Sequence, residues 1–410
     1  MHGSLKSAAG TAALILALAG CSPASSPDGG SPGPSSSSTT AATSALLPFD
    51  AAALKVAFES GAKELLVPGA VMLLRTPAGS LTAAYGVREL GGTDPVTVDD
   101  HIRVGSNTKT WTGTVILQLV QEGKLRLSDP VSKYRPDVPN GEAITIEELM
   151  AMRSGLYNYS ESLELNTALD DDPQRVWTPA ELLALAFAQP PYFAPGTDYH
   201  YSNTNTVLLG LIAEQLDGKP LATIFQDRLF TPLHMAQTLF PASTNNDIPA
   251  PHPQGYMYST NVLTMDNPAL PEADQQAAAA GTLKPNNYTG ANPSWAWAAG
   301  AGISTAGDLA TWVEALAGGG LLDAALQKLR LDSPEPAGTG GAKYGLSIAK
   351  FGELYGHTGE LPGFNSFMGN DPANQVTLVV WTNLAPAANG QDPASTIAKN
   401  LIGSIYKSAG

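Results

Sequence analysis

Cysteine is almost missing from this chain of 410 residues: the single thiol, Cys21, excludes a disulfide scaffold and a cysteine-rich metal site. Charge is scarce too, with Asp, Glu, Lys and Arg making up 14% of residues, against roughly 25% in an average soluble chain. Cations are the scarcer sign, 22 against 37 carboxylates, for a formal net charge of −15. Phosphate repels such a chain, so no nucleic-acid partner is expected. The six histidines (2, 101, 200, 234, 252 and 357) form no H-E-x-x-H or paired ligand spacing, which argues against a metallohydrolase. No cofactor or metal is expected. What is plentiful is Gly (41) and Pro (32), the mark of a loop-rich fold, while 43% apolar residues supply a core and exclude global disorder.

The apolar run Thr11 to Ala19 falls far short of the roughly 20 residues that a spanning helix needs, and reads as the core of a signal peptide. It ends in Leu18-Ala19-Gly20-Cys21, which resembles a bacterial lipobox. That resemblance implies cleavage after residue 20, a lipid on Cys21, and a protein anchored in the bacterial cell membrane, facing the cell wall or periplasm. Residues 21–45 are dominated by Ser, Pro, Gly, Ala and Thr and have nothing to bury, so they read as a flexible tether. Its coil dimensions would hold a domain roughly 25–30 Å from the anchor.

Residues 46–410 read as one folded domain. Phe49 to Leu66 has helical spacing, with Ala53, Val56, Ala57 and Ala62 on one face, and Ala70–Leu74 and Leu81–Tyr85 read as strands about a turn at Pro77-Ala78-Gly79. A helix is expected from near Ser106 through Val120, closed by Gly123. Between about 125 and 290 the patterns are mostly helical, as at Ala180–Gln189 and Val207–Leu216, and 241–294 reads as surface loop. Leu309–Leu316 and Leu321–Leu329 follow as helices. Strands are expected at Tyr344–Ile348, Leu354–His357, Asn365–Gly369 and Val376–Thr382, with a last helix at Ala394–Tyr406. Strands at both ends with helices between them indicate an α/β domain carrying a helical insertion.

Three short motifs carry chemistry. Ser106-Asn107-Thr108-Lys109 is an S-x-x-K: a Ser opens a helix and an amine stands one turn later on the same face, where a neutral Lys can take the hydroxyl proton. The tetrad alone is a weak signal, occurring also at Ser60, Ser347 and Ser404. Ser106 differs in following a short β-like stretch, Ile102 to Gly105, and in preceding a long apolar helix. Tyr201-Ser202-Asn203 supplies a phenol that can pass protons and an amide that can hold a carbonyl, on a loop between helices. Gly356-His357-Thr358-Gly359 stands at the end of an expected strand.

In this order and spacing the motifs S-x-x-K, Y-S-N and H-T-G resemble those of penicillin-binding, serine β-lactamase-type hydrolases, above all secreted actinomycete D-alanyl-D-alanine carboxypeptidases. The likeness runs over most of residues 50–405 and includes Met152 to Tyr157, Ala299 to Ser304 and Tyr344 to Leu346. It implies an antiparallel sheet flanked by helices with an inserted helical subdomain. It further implies Ser106 as acylated nucleophile, Lys109 and Tyr201 as proton-transfer partners, and Asn203 as binder of the substrate amide. His357, Thr358 and Gly359 would line the recognition strand, with Trp295 beside the cleft. The N–H groups of Ser106 and Glu360 would form the oxyanion hole. One position departs: where those carboxypeptidases place an Arg for the substrate carboxylate, this chain has Ala349, followed by Lys350.

The expected activity is metal-free hydrolysis through an acyl-enzyme on Ser106, on D-Ala-D-Ala peptides. β-Lactam or ester hydrolysis on the same framework is the alternative, and a non-catalytic peptidoglycan- or β-lactam-binding receptor is the rival of another class. The partners expected are therefore such a small molecule or peptide and, through Cys21, a membrane. A monomer is the default assembly.

Overall fold

A computed structural model describes residues 45–338 and 341–407. The signal segment, Cys21 and all of the tether but its last residue lie outside the described residues.

The apolar runs near the two ends of the chain build one sheet. Eight strands contribute: β1 (Gly69–Thr76), β2 (Gly79–Gly86), β3 (Glu335–Pro336), β4 (Lys343–Tyr344), β5 (Ala349–Phe351), β6 (Leu354–Leu361), β7 (Phe364–Asp371) and β8 (Val376–Thr382). Their order is β2-β1-β8-β7-β6-β5-β4-β3, and every neighbouring pair is antiparallel. β1 and β8 are adjacent interior strands, and their side chains alternate between two apolar layers. Ala70, Met72, Leu74, Leu378 and Val380 face one layer, while Val71, Leu73, Val379 and Trp381 face the other. Burial on both faces explains why these strands read as unbroken apolar runs.

The first layer is α1 (Ala51–Glu64) and α5 (Pro393–Ile405). Asp50 caps α1 by accepting from the Ala53 amide, and Leu54, Phe58 and Ala62 are its buried residues. The expected face is thereby corrected: Ala53 is exposed and Val56 is 62% exposed. Leu54 and Phe58 offer more apolar area at the same i, i+4 spacing, so the helix turns them inward. The second layer holds α2 (Thr108–Gln121), α3 (Asn203–Asp217) and α4 (Ala306–Gly318). Around α3 gather shorter helices, among them Ile146–Met150, Leu163–Asp171 and Pro179–Phe187.

Three expectations change. Tyr344–Ile348 is a hairpin, not one strand: Ser347 has φ +53°, the Gly345 amide donates to the Ile348 carbonyl, and β4 pairs with β5 as Tyr344 opposite Ala349. The stretch 241–294 is more than surface loop, since it carries helices at Asn261–Asp266 and Glu272–Ala279 and buries Tyr256, whose amide donates to the Asn383 carbonyl at 2.9 Å. Polar Asn and Pro masked these because their buried contacts are made by backbone. Lastly, β6 runs on past His357 to Leu361. Its outer neighbour β5 pairs with Leu354 to Gly356, so beyond Gly356 the outer edge of β6 is open to other segments.

The α1 assignment is checked by a matched pair of substitutions read by urea unfolding. Phe58→Ala should cost about 3–5 kcal/mol, the range for truncating a buried Phe. Val56→Ala should stay within about 0.5 kcal/mol, as surface changes do.

Candidate active site

The open edge of β6 meets the start of α2. Ile102 and Arg103 form a two-residue ladder with Ser304 and Ile303, which aims the chain at the sheet. Gly105 then turns it with φ +55°, and Gly105–Asn107 make one 3-10 turn leading into α2. A Cβ on Gly105 would stand 2.4 Å from the backbone nitrogen of Glu360, so glycine is required both by conformation and by room. A Cβ on Gly359 would stand 1.9 Å from the Val104 carbonyl oxygen. The two glycines let helix start and strand touch by backbone.

Lys109 follows one turn after Ser106. Its Nζ lies 2.9 Å from Ser106 Oγ and donates to the Ala299 carbonyl at 2.8 Å. The side chain is 0% exposed. Burial without a carboxylate partner drives its pKa well below the ordinary lysine value, because the charged form is left unsolvated. The same turn is fastened to residues 298–302: Thr108 Oγ1 donates to the Gly105 carbonyl and accepts from the Gly302 amide, and Thr112 Oγ1 donates to the Ala298 carbonyl.

Tyr201 closes over this pair. Lys109 Nζ is 4.8 Å from the centroid of its ring, and its hydroxyl is within hydrogen-bonding range of Ser106. Burial raises its phenol above the ordinary tyrosine value. The loop carrying Tyr201 is shaped by residues 152–160. Thr204 Oγ1 donates to the Tyr157 carbonyl at 2.6 Å, Ser154 Oγ donates to Asn205 Oδ1 at 2.7 Å, and the Asn203 amide donates to Asn158 Oδ1 at 3.0 Å. Asn203 opens α3, and its Nδ2 donates to Ser160 Oγ at 2.9 Å. One hydrogen of that amide is thus committed within the protein.

On β6 the pleat separates neighbours. His357 is buried against the tyrosines: its Nε2 is 3.1 Å from Tyr344 Oη, and its Nδ1 is 2.6 Å from the Thr358 carbonyl oxygen. A carbonyl can only accept, so Nδ1 carries the hydrogen and Nε2 accepts from Tyr344. Burial, then the charge of Lys109, lower the imidazole to about 3. Thr358 turns to the opposite side, where with Phe351, Phe367, Ser395 and Lys399 it lines a cavity of about 310 Å³.

Trp295 is half-buried; its carbonyl accepts from the fully buried Tyr159 hydroxyl at 2.8 Å. Ala349 is buried in a small cluster with Met152 and Tyr344 that also touches Tyr199 and Tyr201. Lys350 does not replace an arginine there. Its ammonium donates to Tyr355 Oη at 3.1 Å and lies 4.6 Å over that ring. The fold therefore brings Ser106, Lys109, Tyr201, His357 and the Glu360 amide into one cleft region, with Asn203 at its side.

Sequence reasoning missed the fastening residues. Asn107 Nδ2 donates to both the Val104 carbonyl and Ser366 Oγ, and Ser366 Oγ donates to the same carbonyl at 2.9 Å. Nothing in a motif marks Ser366, 259 residues from its partner. Tyr344 was legible only as part of a family segment, without its bond to His357. Among the described residues, no group of three or more His, Cys, Asp or Glu could hold a metal ion, and no helix is long and apolar enough to cross a membrane.

A family model described as Beta-lactamase matches residues 56–400. Protein flp of Staphylococcus aureus (strain N315) is 32% identical over 189 residues, which is 44% of this chain but 36% of that protein's length. A D-stereospecific amidohydrolase from Streptomyces sp. superposes with a TM-score of 0.74 at 29% identity, over 88% of this chain and 100% of that one. The D-amino acid amidase of Ochrobactrum anthropi SV3, in complex with D-phenylalanine, gives 0.72 at 25% identity, over 86% and 98%.

The His357 environment has a consequence for stability. Its folded value lies below that of a free imidazole, so its contribution is present above about pH 6.5 and is lost as pH falls toward 3. Between pH 7 and 4 the loss should reach about 3 kcal/mol, and His357→Gln should remove that part of the slope in urea unfolding. In NMR the His357 ring should keep its neutral Nδ1–H form down to at least pH 5.

Proposed function

Because the chain belongs to the beta-lactamase family of serine hydrolases over residues 56–400, we propose that it hydrolyses amide or ester bonds of D-amino-acid compounds through an acyl-enzyme on Ser106. The observation that carries this reading is the Ser106–Lys109 contact of 2.9 Å with the amine sealed from water. Likeness to the Streptomyces amidohydrolase and the Ochrobactrum amidase supports D-configured amides as the substrate class. Action on D-Ala-D-Ala peptides is the narrower form that S-x-x-K, Y-S-N and H-T-G imply.

The geometry gives each residue a task. Neutral Lys109 takes the Ser106 proton as Oγ attacks the carbonyl carbon. The N–H groups of Ser106 and Glu360 hold the oxyanion, where the close approach of Gly105 to Glu360 sets them side by side. Tyr201, protonated because its phenolate would be buried, delivers a proton to the leaving amine or alcohol and is refilled from Lys109. The C–N or C–O bond breaks, leaving the acyl ester on Ser106. Water then attacks the ester by the same relay in reverse, releasing the acid and restoring the serine.

Hydrolysis of D-phenylalanine amide and of D-alanyl peptides, followed by product release, tests the reading. Ser106→Ala should lower kcat/KM at least about 10³-fold, and Lys109→Met about 10²–10⁴-fold, the usual range for loss of a general base. An intact-mass shift on Ser106 with a slow ester or a penicillin should accompany turnover and vanish in Ser106→Ala. Since Lys109 works as the free amine, kcat/KM should fall on the acid side as that amine takes up a proton. Turnover unaffected by Ser106→Ala would sink the proposal.

We also propose that Cys21 carries a lipid that holds the enzyme outside the cytoplasm, on the strength of Leu18-Ala19-Gly20-Cys21 and the residues after it. Cys21→Ala should move the protein from the membrane fraction to the soluble one; unchanged retention would count against the anchor.

A further inference from the structure

A side-chain amide has a donor end and an acceptor end of nearly the same shape, so what Asn203 offers a substrate depends on what fixes its direction. Ser160 is the direct contact. Its Oγ accepts from Asn203 Nδ2 at 2.9 Å and donates to Asn158 Oδ1 at 2.9 Å. A hydroxyl carries one hydrogen, and once Asn158 receives it the Oγ can only accept from Asn203. The nitrogen end of the Asn203 amide must therefore face Ser160. Reversed, it would set two oxygens against each other with the hydrogen already spent.

Asn158 cannot reverse in its turn. It is buried, and its Oδ1 also accepts from the backbone N–H groups of Asn203 at 3.0 Å and Ser160 at 3.4 Å, which can only donate. At its other end Nδ2 donates to Glu161 Oε1 at 3.1 Å. Glu161 is held in place from outside. Tyr192 Oη accepts from the Asn158 backbone amide at 3.1 Å and donates to Glu161 Oε2 at 2.6 Å. His200 Nε2 lies 3.0 Å from Glu161 Oε1, and its ring stacks on Tyr192 with centroids 3.8 Å apart. A carboxylate at one end and backbone amides at the other thus fix Asn158, Asn158 fixes the Ser160 hydroxyl, and the hydroxyl fixes Asn203.

We propose that Ser160 and Asn158 are positioning residues that set the direction of the Asn203 amide, leaving it one N–H and its Oδ1 for the substrate. One donor beside one acceptor complements a secondary amide, which presents an acceptor and a donor in return. A plain acyl chain offers neither, so Ser160 and Asn158 favour acyl groups that carry an acylamino group next to the reacting carbonyl. This rests on the acyl-transfer reading above and deepens it.

The test compares the phenyl esters of N-acetyl-D-alanine and of propanoic acid, which share a leaving group and differ by the acetamido group. Each kcat/KM is divided by the rate with hydroxide to remove intrinsic reactivity. The full chain should favour the acetamido ester by about threefold or more, the worth of an oriented hydrogen bond. Ser160→Ala should bring that ratio close to one, and Asn158→Ala should move it the same way, while Ser160→Thr, which keeps the hydroxyl, should retain it. In Asn203→Ala the ratio should already be lost, and adding Ser160→Ala should change it no further, because one residue acts through the other. A ratio near one in the unaltered chain, or one that Ser160→Ala does not move, would overturn the proposal while leaving the hydrolase reading intact. So would an equal loss on both esters, which marks a merely structural role, or an effect of Ser160→Ala on the ratio that persists without Asn203. If Ser106→Ala leaves ester turnover unchanged, the hydrolase reading falls and this inference falls with it.

Discussion

Everything at this site depends on keeping one lysine amine out of water without a counter-ion. A paired ammonium would be a poor base, and a solvated one would hold its proton. Lys109 avoids both states because four different parts of the chain wall it in: the 3-10 turn before α2, the carbonyl of Ala299, the ring of Tyr201, and the strand that carries His357. The isolated carbonyl of Ala299 is the economical part of this arrangement. It orients the amine by one hydrogen bond and leaves the lone pair free to face Ser106, without the full charge that would restore an ammonium.

Such a base works only if its distance to the hydroxyl is fixed, and that rests on the sheet. Ser106 belongs to a turn that has no strand of its own to hold it. Its position comes from Val104, whose carbonyl is gripped by Asn107 and by Ser366 of β7, and from Gly105 and Gly359, whose missing side chains allow backbone contact with β6. Since β6 and β7 lie inside an eight-stranded antiparallel sheet buried on two faces, the nucleophile inherits the rigidity of the core. A loop-borne serine thereby behaves like one placed on a regular element.

How much of this could be read beforehand follows from where each interaction lies along the chain. Ser106 and Lys109 were legible because their contact is local, one helical turn fixed by backbone geometry. The long strands β1, β6, β7 and β8 were legible from apolar runs, and α1 from its spacing, although Leu54 and Phe58 rather than Val56 proved to face inward. The hairpin at Gly345–Ile348 was not, because alternating apolar residues there satisfy a single strand equally well, and the bend follows from the Ser347 amide reaching the carbonyl of Met150. Ser366 and Tyr344 were silent for a related reason: a Ser on a strand and a Tyr near its edge acquire meaning only from partners at other places in the sequence. Side-chain direction was the last thing hidden. Register alone decides that His357 and Thr358 part company across the pleat.

That divergence bears on what a histidine achieves in H-T-G, where the commoner form of the motif has a lysine. A lysine there would bring a second cation to the strand, available to a substrate acid. The imidazole of His357 is instead neutral, donating through Nδ1 to its own strand and accepting through Nε2 from Tyr344. It contributes packing and a hydrogen bond, and no charge. Together with Ala349 in the neighbouring strand, this empties the recognition edge of positive charge from two directions. The same emptiness protects Lys109, since each added cation nearby would lower its pKa further and each lost wall would raise it. Base strength and substrate charge are consequently set by one balance. Restoring an arginine at position 349 would therefore change more than recognition, because its charge would fall on the Tyr201 side and weaken the amine on which the nucleophile depends.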